Sequence, residues 1–321
     1  MEDSFTQRLK RKGTEFGFSS IGIARAELLN DEEHHLHEWL MRGYHASMQW
    51  MERDTEKRRD ATKILPNAKS VICVALNYFT PHQQSDNPAI GKISKYAWGD
   101  DYHSVLIKRL EKLYEFITSE IPNVSGKIYV DTGPLMEKAW AIRAGIGWMG
   151  KHTNIITRTV GSWVFLGEIL IDAELEYDTP MVDYCGTCTA CIDACPTQAI
   201  VQPYVLDAGK CISYLTIEHR GELPKEIVPD FQNWVYGCDI CQDVCPWNRF
   251  QRETEEPGFR PREENIEPKL TELAEMSQEE FSRRFRGSPI KRTKHSGLKR
   301  NAKAVMESLE DKTHLIKKSE Q

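Results

Sequence analysis

The chain has 321 residues, enough for a sizeable core and about two domains, with 40% hydrophobic and 28% charged residues and a mean hydropathy of −0.53. No apolar run approaches the ~18 residues of a membrane span, and the opening MEDSFTQRLKRKG is too polar for a secretory signal. The expected setting is the reducing cytoplasm, away from membranes, where nine cysteines point to metal ligation rather than disulfides.

Helical and strand patterns alternate over the first 180 residues. Helices are predicted at about 2–16, 31–43 and 104–120, the last with Leu106, Leu110, Leu113, Tyr114 and Ile117 on one stripe. Strands are predicted at 20–24, 71–76, 127–130 and 163–171. Several are continuously apolar, as in a sheet covered on both faces. An α/β (α+β) domain over 1–180 follows, its central sheet flanked by helices. Cys73, mid-strand, reads as a small core residue, and His34, His35 and His37 read as a polar helix face. Asp131 ends the 127–130 strand, where it can line a ligand crevice or cap the next turn. Gly145-Ile-Gly147-Trp-Met-Gly150-Lys151-His152 matches G-x-G-x-x-G, but it follows a helical stretch (135–144) instead of a strand, and His152 stands where a P-loop needs Ser or Thr. A tight turn is expected there.

Residues 181–252 lose periodicity and gain cysteines. Cys185-Gly-Thr-Cys188-Thr-Ala-Cys191-Ile-Asp-Ala-Cys195-Pro196 is the C-x2-C-x2-C-x3-C-P run of bacterial ferredoxins, whose fourth cysteine serves the other cluster. Cys238, Cys241 and Cys245-Pro246 repeat its end, and Cys211 completes eight ligands. The crossing rule assigns Cys185, Cys188, Cys191 and Cys245 to one 4Fe-4S cluster, and Cys195, Cys211, Cys238 and Cys241 to the second. Zinc also uses C-x2-C pairs, but it requires neither the third close cysteine nor two C-P endings. A ferredoxin-like two-cluster module is therefore predicted.

The remainder, 253–321, is expected to be helical. An acidic stretch (253–280) precedes residues 281–303, which hold nine of the chain's Lys and Arg and no acid, against a net charge of −6 overall. Such a segment either faces a polyanion or is a solvated linker. Leu298, Ala302, Val305, Met306 and Leu309 then recur at helical spacing. This final stripe either docks back on the body or begins a repeat array.

The ferredoxin run, GCDICQDVCPWN (237–248), VDTGPLMEKAWAIRAGIGWMGKHTNII (130–156) and YAWGDDYH (96–103) together resemble the epoxyqueuosine reductases, with matching segments from about residue 15 to 300. The resemblance implies a cobalamin domain, the two-cluster module and HEAT-like helices, here incomplete. It also implies removal of the epoxide oxygen of epoxyqueuosine at the wobble position of tRNAs for Asp, Asn, His and Tyr (GUN anticodons), a two-electron, two-proton reduction. Asp131 becomes the acid, best suited if burial raises its pKa. Cobalamin contacts fall on Arg58, Ser94, Tyr96, Asp131, Asn154 and Ile155. No D-x-H-x-x-G motif is present, Asp101-Tyr-His103 coming closest, so cobalamin is expected base-off without a histidine ligand. Electrons from a flavodoxin or ferredoxin would arrive at the Cys195, Cys211, Cys238 and Cys241 cluster and pass through the other to cobalt. Lys291, Arg292, Lys299 and Arg300 would meet tRNA phosphates. The chain is read as a monomer. A dehalogenase-like reductase of a small molecule and a plain electron carrier remain the alternatives.

Overall fold

The computed structural model describes residues 3–319, and side chains as far as Asp311. Helix α1 (Phe5–Glu15) opens with a capping box, in which Ser4 and Gln7 each accept the other's backbone N–H. The central sheet is built from β1 (Ser20–Arg25), β2 (Ser70–Asn77), β3 (Gly126–Tyr129) and β6 (Val164–Ile171). Its order is β1-β2-β6-β3 and every neighbouring pair is antiparallel. The continuous apolarity of β2 and β6 thus comes from cover on two faces rather than from parallel pairing.

One face packs on α1 and on α3 (Tyr102–Glu120), whose stripe Leu106, Leu110, Leu113 and Ile117 is fully buried against Ile72, Val74 and Ile169. Each such side chain contributes about 1.5–3 kcal/mol. The other face, with Val71, Cys73, Ala75, Leu166 and Leu170, packs on Leu135, Ala139 and Trp140 of the α4 region (α4, Glu137–Arg143). Cys73 is a core residue, as its setting in the sequence suggests. Helix α2 (Asn30–Met41) leaves His34, His35 and His37 exposed.

After α4 the chain turns into the hairpin β4 (Trp148–Met149) and β5 (Ile155–Ile156). Gly145 takes a left-handed φ of +69°, and a Cβ on Gly147 would lie 2.2 Å from the Ile156 carbonyl oxygen. The glycine motif is therefore a helix stop and a close backbone crossing, with no helix opening after it.

A second core joins Ile93, Ala97 and Trp98 to Phe231, Trp234, Tyr236, Leu270, Phe281 and Phe285. The final helix α5 (Lys294–Ser319) buries Leu298, Ala302 and Val305 in that core, so its stripe docks back on the body. A buried polar latch ties this half to the sheet at the foot of β6. Asn248 Oδ1 accepts the Ser162 N–H at 2.7 Å, Asn248 donates to the Gln242 carbonyl at 2.6 Å, and Gln242 donates to the Ser162 carbonyl at 3.0 Å. Among the described residues no helix is long and apolar enough to cross a membrane.

Candidate active site

Asp131 follows β3 with a φ of +55°, the left-handed region that costs a non-glycine residue about 1–3 kcal/mol and is held only by its surroundings. Glu137, at the start of α4, accepts the Asp131 N–H at 3.0 Å. The Asp131 carboxyl accepts from Tyr102 Oη at 2.8 Å and from His103 Nε2 at 3.2 Å, and His103 Nδ1 meets Asp101 at 2.7 Å. With a carboxylate on each ring nitrogen, His103 is an imidazolium. Burial opposes that charge, but Asp101 and Asp131 outweigh it and lift its pKa to about 9. The His103 hydrogen bond in turn holds Asp131 below the usual carboxylate range, despite the opposing effect of burial. The rise that burial alone would give Asp131 is thus outweighed, and the resting proton sits on its neighbour.

Behind Asp131 lies a group of acids. Burial first, and then the Asp131 charge, push Glu137 up, while burial followed by Glu137 and Asp131 pushes Glu168 on β6 far up. Lys138 donates to the Thr153 carbonyl at 2.9 Å, and burial lowers its pKa against the pull of Glu137, Asp131 and Cys241. Glu137 and Lys138 keep some surface open although desolvation dominates both.

The cysteines separate into two groups by their mutual charge interactions. Burial and the neighbours Cys185, Cys245 and Cys188 raise Cys191 to about 11. Burial raises Cys241 well above its ordinary range, reinforced by Cys211, Cys191 and Cys195, and Cys238 likewise by burial, Cys241 and Cys211. The interactions of Cys191 stay within the quartet that the crossing rule gives it, and Cys241, which feels Cys191 as well as Cys211 and Cys195, makes the two groups neighbours. Lys151, itself buried, clasps the first loop by donating to the Gly186 and Cys188 carbonyls at 2.6 and 2.8 Å. Among the described residues no three His, Cys, Asp or Glu side chains converge as around one metal ion. Four thiols per group, with Pro196 and Pro246 turning the chain away, fit the donor sets of iron–sulfur clusters. Cys188 is exposed while Cys191 and Cys245 of its group are buried, and Cys195, Cys211, Cys238 and Cys241 are half-buried. Cys241 lies within the electrostatic reach of Lys138 beside the acids.

The residues expected at cobalamin are partly brought together. Buried Ser94 donates to Asp239, next to Cys238, and Tyr96 donates to Tyr236 at 3.1 Å and packs on Tyr102. Asn154 and buried Ile155 follow Thr153, the Lys138 partner. Arg58 stands apart, donating to the Arg53 and Trp50 carbonyls of its own segment. His152 is buried with Nδ1 accepting the Asn154 N–H and Nε2 unpartnered. That orphaned buried donor suits a polar group of a bound cofactor. Neither His152 nor His103 keeps a free ring lone pair for a metal.

Of the basic residues, Lys291 is exposed and Lys299 half-buried. Arg292 pairs with Glu218 at 2.8 and 2.9 Å and lies within the field of Asp131. Arg300 is spent internally on the carbonyls of His219, Gly221 and Leu215 at 2.7–3.0 Å, which corrects its reading as a phosphate contact. Sequence reasoning missed Tyr102, His103, Glu137, Lys138 and Glu168. The first four lie in the quoted motifs, and Glu168 is signalled by an acid inside the apolar run FLGEILI.

Thiol quartets beside a carboxyl–imidazolium site define an iron–sulfur oxidoreductase. The family described as "4Fe-4S double cluster binding domain" matches residues 184–248, and "Epoxyqueuosine reductase QueG, DUF1730" matches residues 58–132. The chain is 47% identical over 300 residues to an epoxyqueuosine reductase of Cellulophaga algicola, covering 94% of this chain and 97% of that one. It superposes with a TM-score of 0.88 and 35% identity on a crystal structure of epoxyqueuosine reductase with a tRNA-Tyr epoxyqueuosine-modified stem loop, covering 94% and 80% of the two chains. A Bacillus subtilis epoxyqueuosine reductase with its catalytic aspartate loop swung out of the active site gives a TM-score of 0.88 at 33% identity, covering 97% and 83%. The chain belongs to the epoxyqueuosine reductase family.

Proposed function

We propose that this protein reduces epoxyqueuosine to queuosine in the anticodon of tRNA, in the cytoplasm, with electrons from a small carrier such as a flavodoxin or ferredoxin. The observation that carries the reading is the junction of an imidazolium-backed Asp131 with a desolvated cysteine quartet through Lys138. Epoxide opening develops negative charge on oxygen, which a proton delivered at that oxygen relieves. Asp131 stands between the His103 proton and the open surface and is the delivering group. Its left-handed backbone suits a loop that rearranges when substrate binds, as the relative with its aspartate loop swung out suggests.

Two 4Fe-4S clusters would be held by Cys185, Cys188, Cys191 and Cys245, and by Cys195, Cys211, Cys238 and Cys241. Cobalamin, when bound, supplies the redox chemistry at the substrate. Ser94, Tyr96, Asn154, Ile155 and the His152 N–H would line its place, without a histidine on cobalt. Lys138, fixed to Thr153, steadies the acids and separates them from the thiols. Arg292, within the field of Asp131, and exposed Lys291 next to it in the chain would meet an anticodon backbone. Nucleoside analysis of tRNA from cells lacking the gene tests the reading: accumulated epoxyqueuosine is expected, and unchanged queuosine removes it.

A further inference from the structure

Glu168 is fully buried in the middle of β6, and both of its carboxyl oxygens lack a hydrogen-bond partner. It points to the face that packs on α4, since Leu166 and Leu170, two residues to either side, belong to that core. Across the ladder it stands level with Cys73 on β2 and with Tyr129 on β3, two residues before Asp131. Glu137 closes the gap from α4 and holds the Asp131 N–H. The titratable groups that face Glu168 are Cys73, Tyr129, Glu137 and Asp131, and no cation is paired with it among the described residues. A carboxylate in such a place would be desolvated, unpaired and repelled by two other acids, so it persists there as the neutral acid. A Leu or Gln would serve packing better, which makes a retained acid a sign of use.

We propose that fully buried Glu168 and half-buried Glu137 form a carboxyl pair that stores one proton behind Asp131 and returns it to Asp131 in each turnover. This rests on the reading of Asp131 as the delivering group. The reduction breaks two C–O bonds, forms one C=C bond and one water, and consumes two electrons and two protons. The clusters' external donor supplies the electrons. His103 and Asp131 deliver the first proton, and the pair reloads Asp131 for the second. The pair is then refilled from solvent by way of Asp131, whose side chain is 53% exposed.

Infrared difference spectroscopy of the cluster-loaded protein tests the store apart from catalysis. At neutral pH a protonated-carboxyl band should be present, should vanish in E168Q and should remain in E137Q. Its absence from the unmodified protein overturns the proposal whatever the activity. With an epoxyqueuosine-containing stem loop, E168Q should lower kcat at least tenfold and enlarge the solvent deuterium isotope effect, leaving KM nearly unchanged, because Gln copies the neutral acid's shape. Unchanged kcat and isotope effect across the pH range would sink it. If E168Q does not fold, E137Q, at a half-buried position, should show the same kinetic loss. If the unmodified protein leaves the stem loop intact, the substrate reading fails while the infrared result still decides the store.

Discussion

His103 and Asp131 share a hydrogen bond of 3.2 Å in which the imidazole, braced by Asp101, holds the proton. Because the His103 pKa lies near 9, above the ordinary value of about 6.5, its stabilisation is fully present below that ordinary value and is lost as pH rises through about 9. The Tm of the unmodified protein should fall across that window, and His103→Gln should flatten the fall. The same variant should lose the alkaline limb of the pH–kcat/KM profile near 9 and run slower at neutral pH, by about 10²-fold or more.

Asp131→Asn should keep the visible spectrum of its cofactors and lose about 10²–10⁴ in single-turnover rate on a modified stem loop. Full activity would mean that another group delivers the proton.

Each quartet should lose its own cluster independently. Cys188→Ser and Cys241→Ser should each lower iron content to about half that of the unmodified chain, measured after anaerobic purification. In the unmodified protein a chelator should strip the Cys188 quartet first, since that thiol is exposed.

Lys291→Ala and Arg300→Ala should separate RNA contact from folding. Lys291 is exposed, so its loss should reduce the slope of log affinity against log salt by about 1 without moving Tm. Arg300 serves carbonyls of its own chain; its loss should cost about 2–4 kcal/mol of stability, since hydrogen bonds from charged groups count roughly 1.5–3 each and are only partly additive.

Gly147→Ala would set a Cβ 2.2 Å from the Ile156 carbonyl oxygen. Backbone must move, which costs roughly 1–3 kcal/mol, and thermal unfolding should register a lower Tm.

The cluster-binding module was legible because ligand spacing is a local property that folding preserves. The strands and the α3 stripe were legible from periodicity, though strand direction was not, since a doubly covered antiparallel strand is as apolar as a parallel one. Asp131 was named from its motif, but the groups that set its protonation were not legible: His103 and Tyr102 lie nearly thirty residues upstream and meet it only through the packing of α3 on the sheet. Arg300 looked like its basic neighbours because charge runs do not disclose which side chains turn inward. Glu168 hid in an apolar strand whose pattern announces a core and masks an acid within it.

The latch of Ser162, Gln242 and Asn248 fixes the foot of β6 to the turn carrying Cys241 and Cys245, and six residues along that strand sits Glu168. The thiol-bearing turn and the strand that pairs with β3, just before Asp131, are thereby braced as one piece.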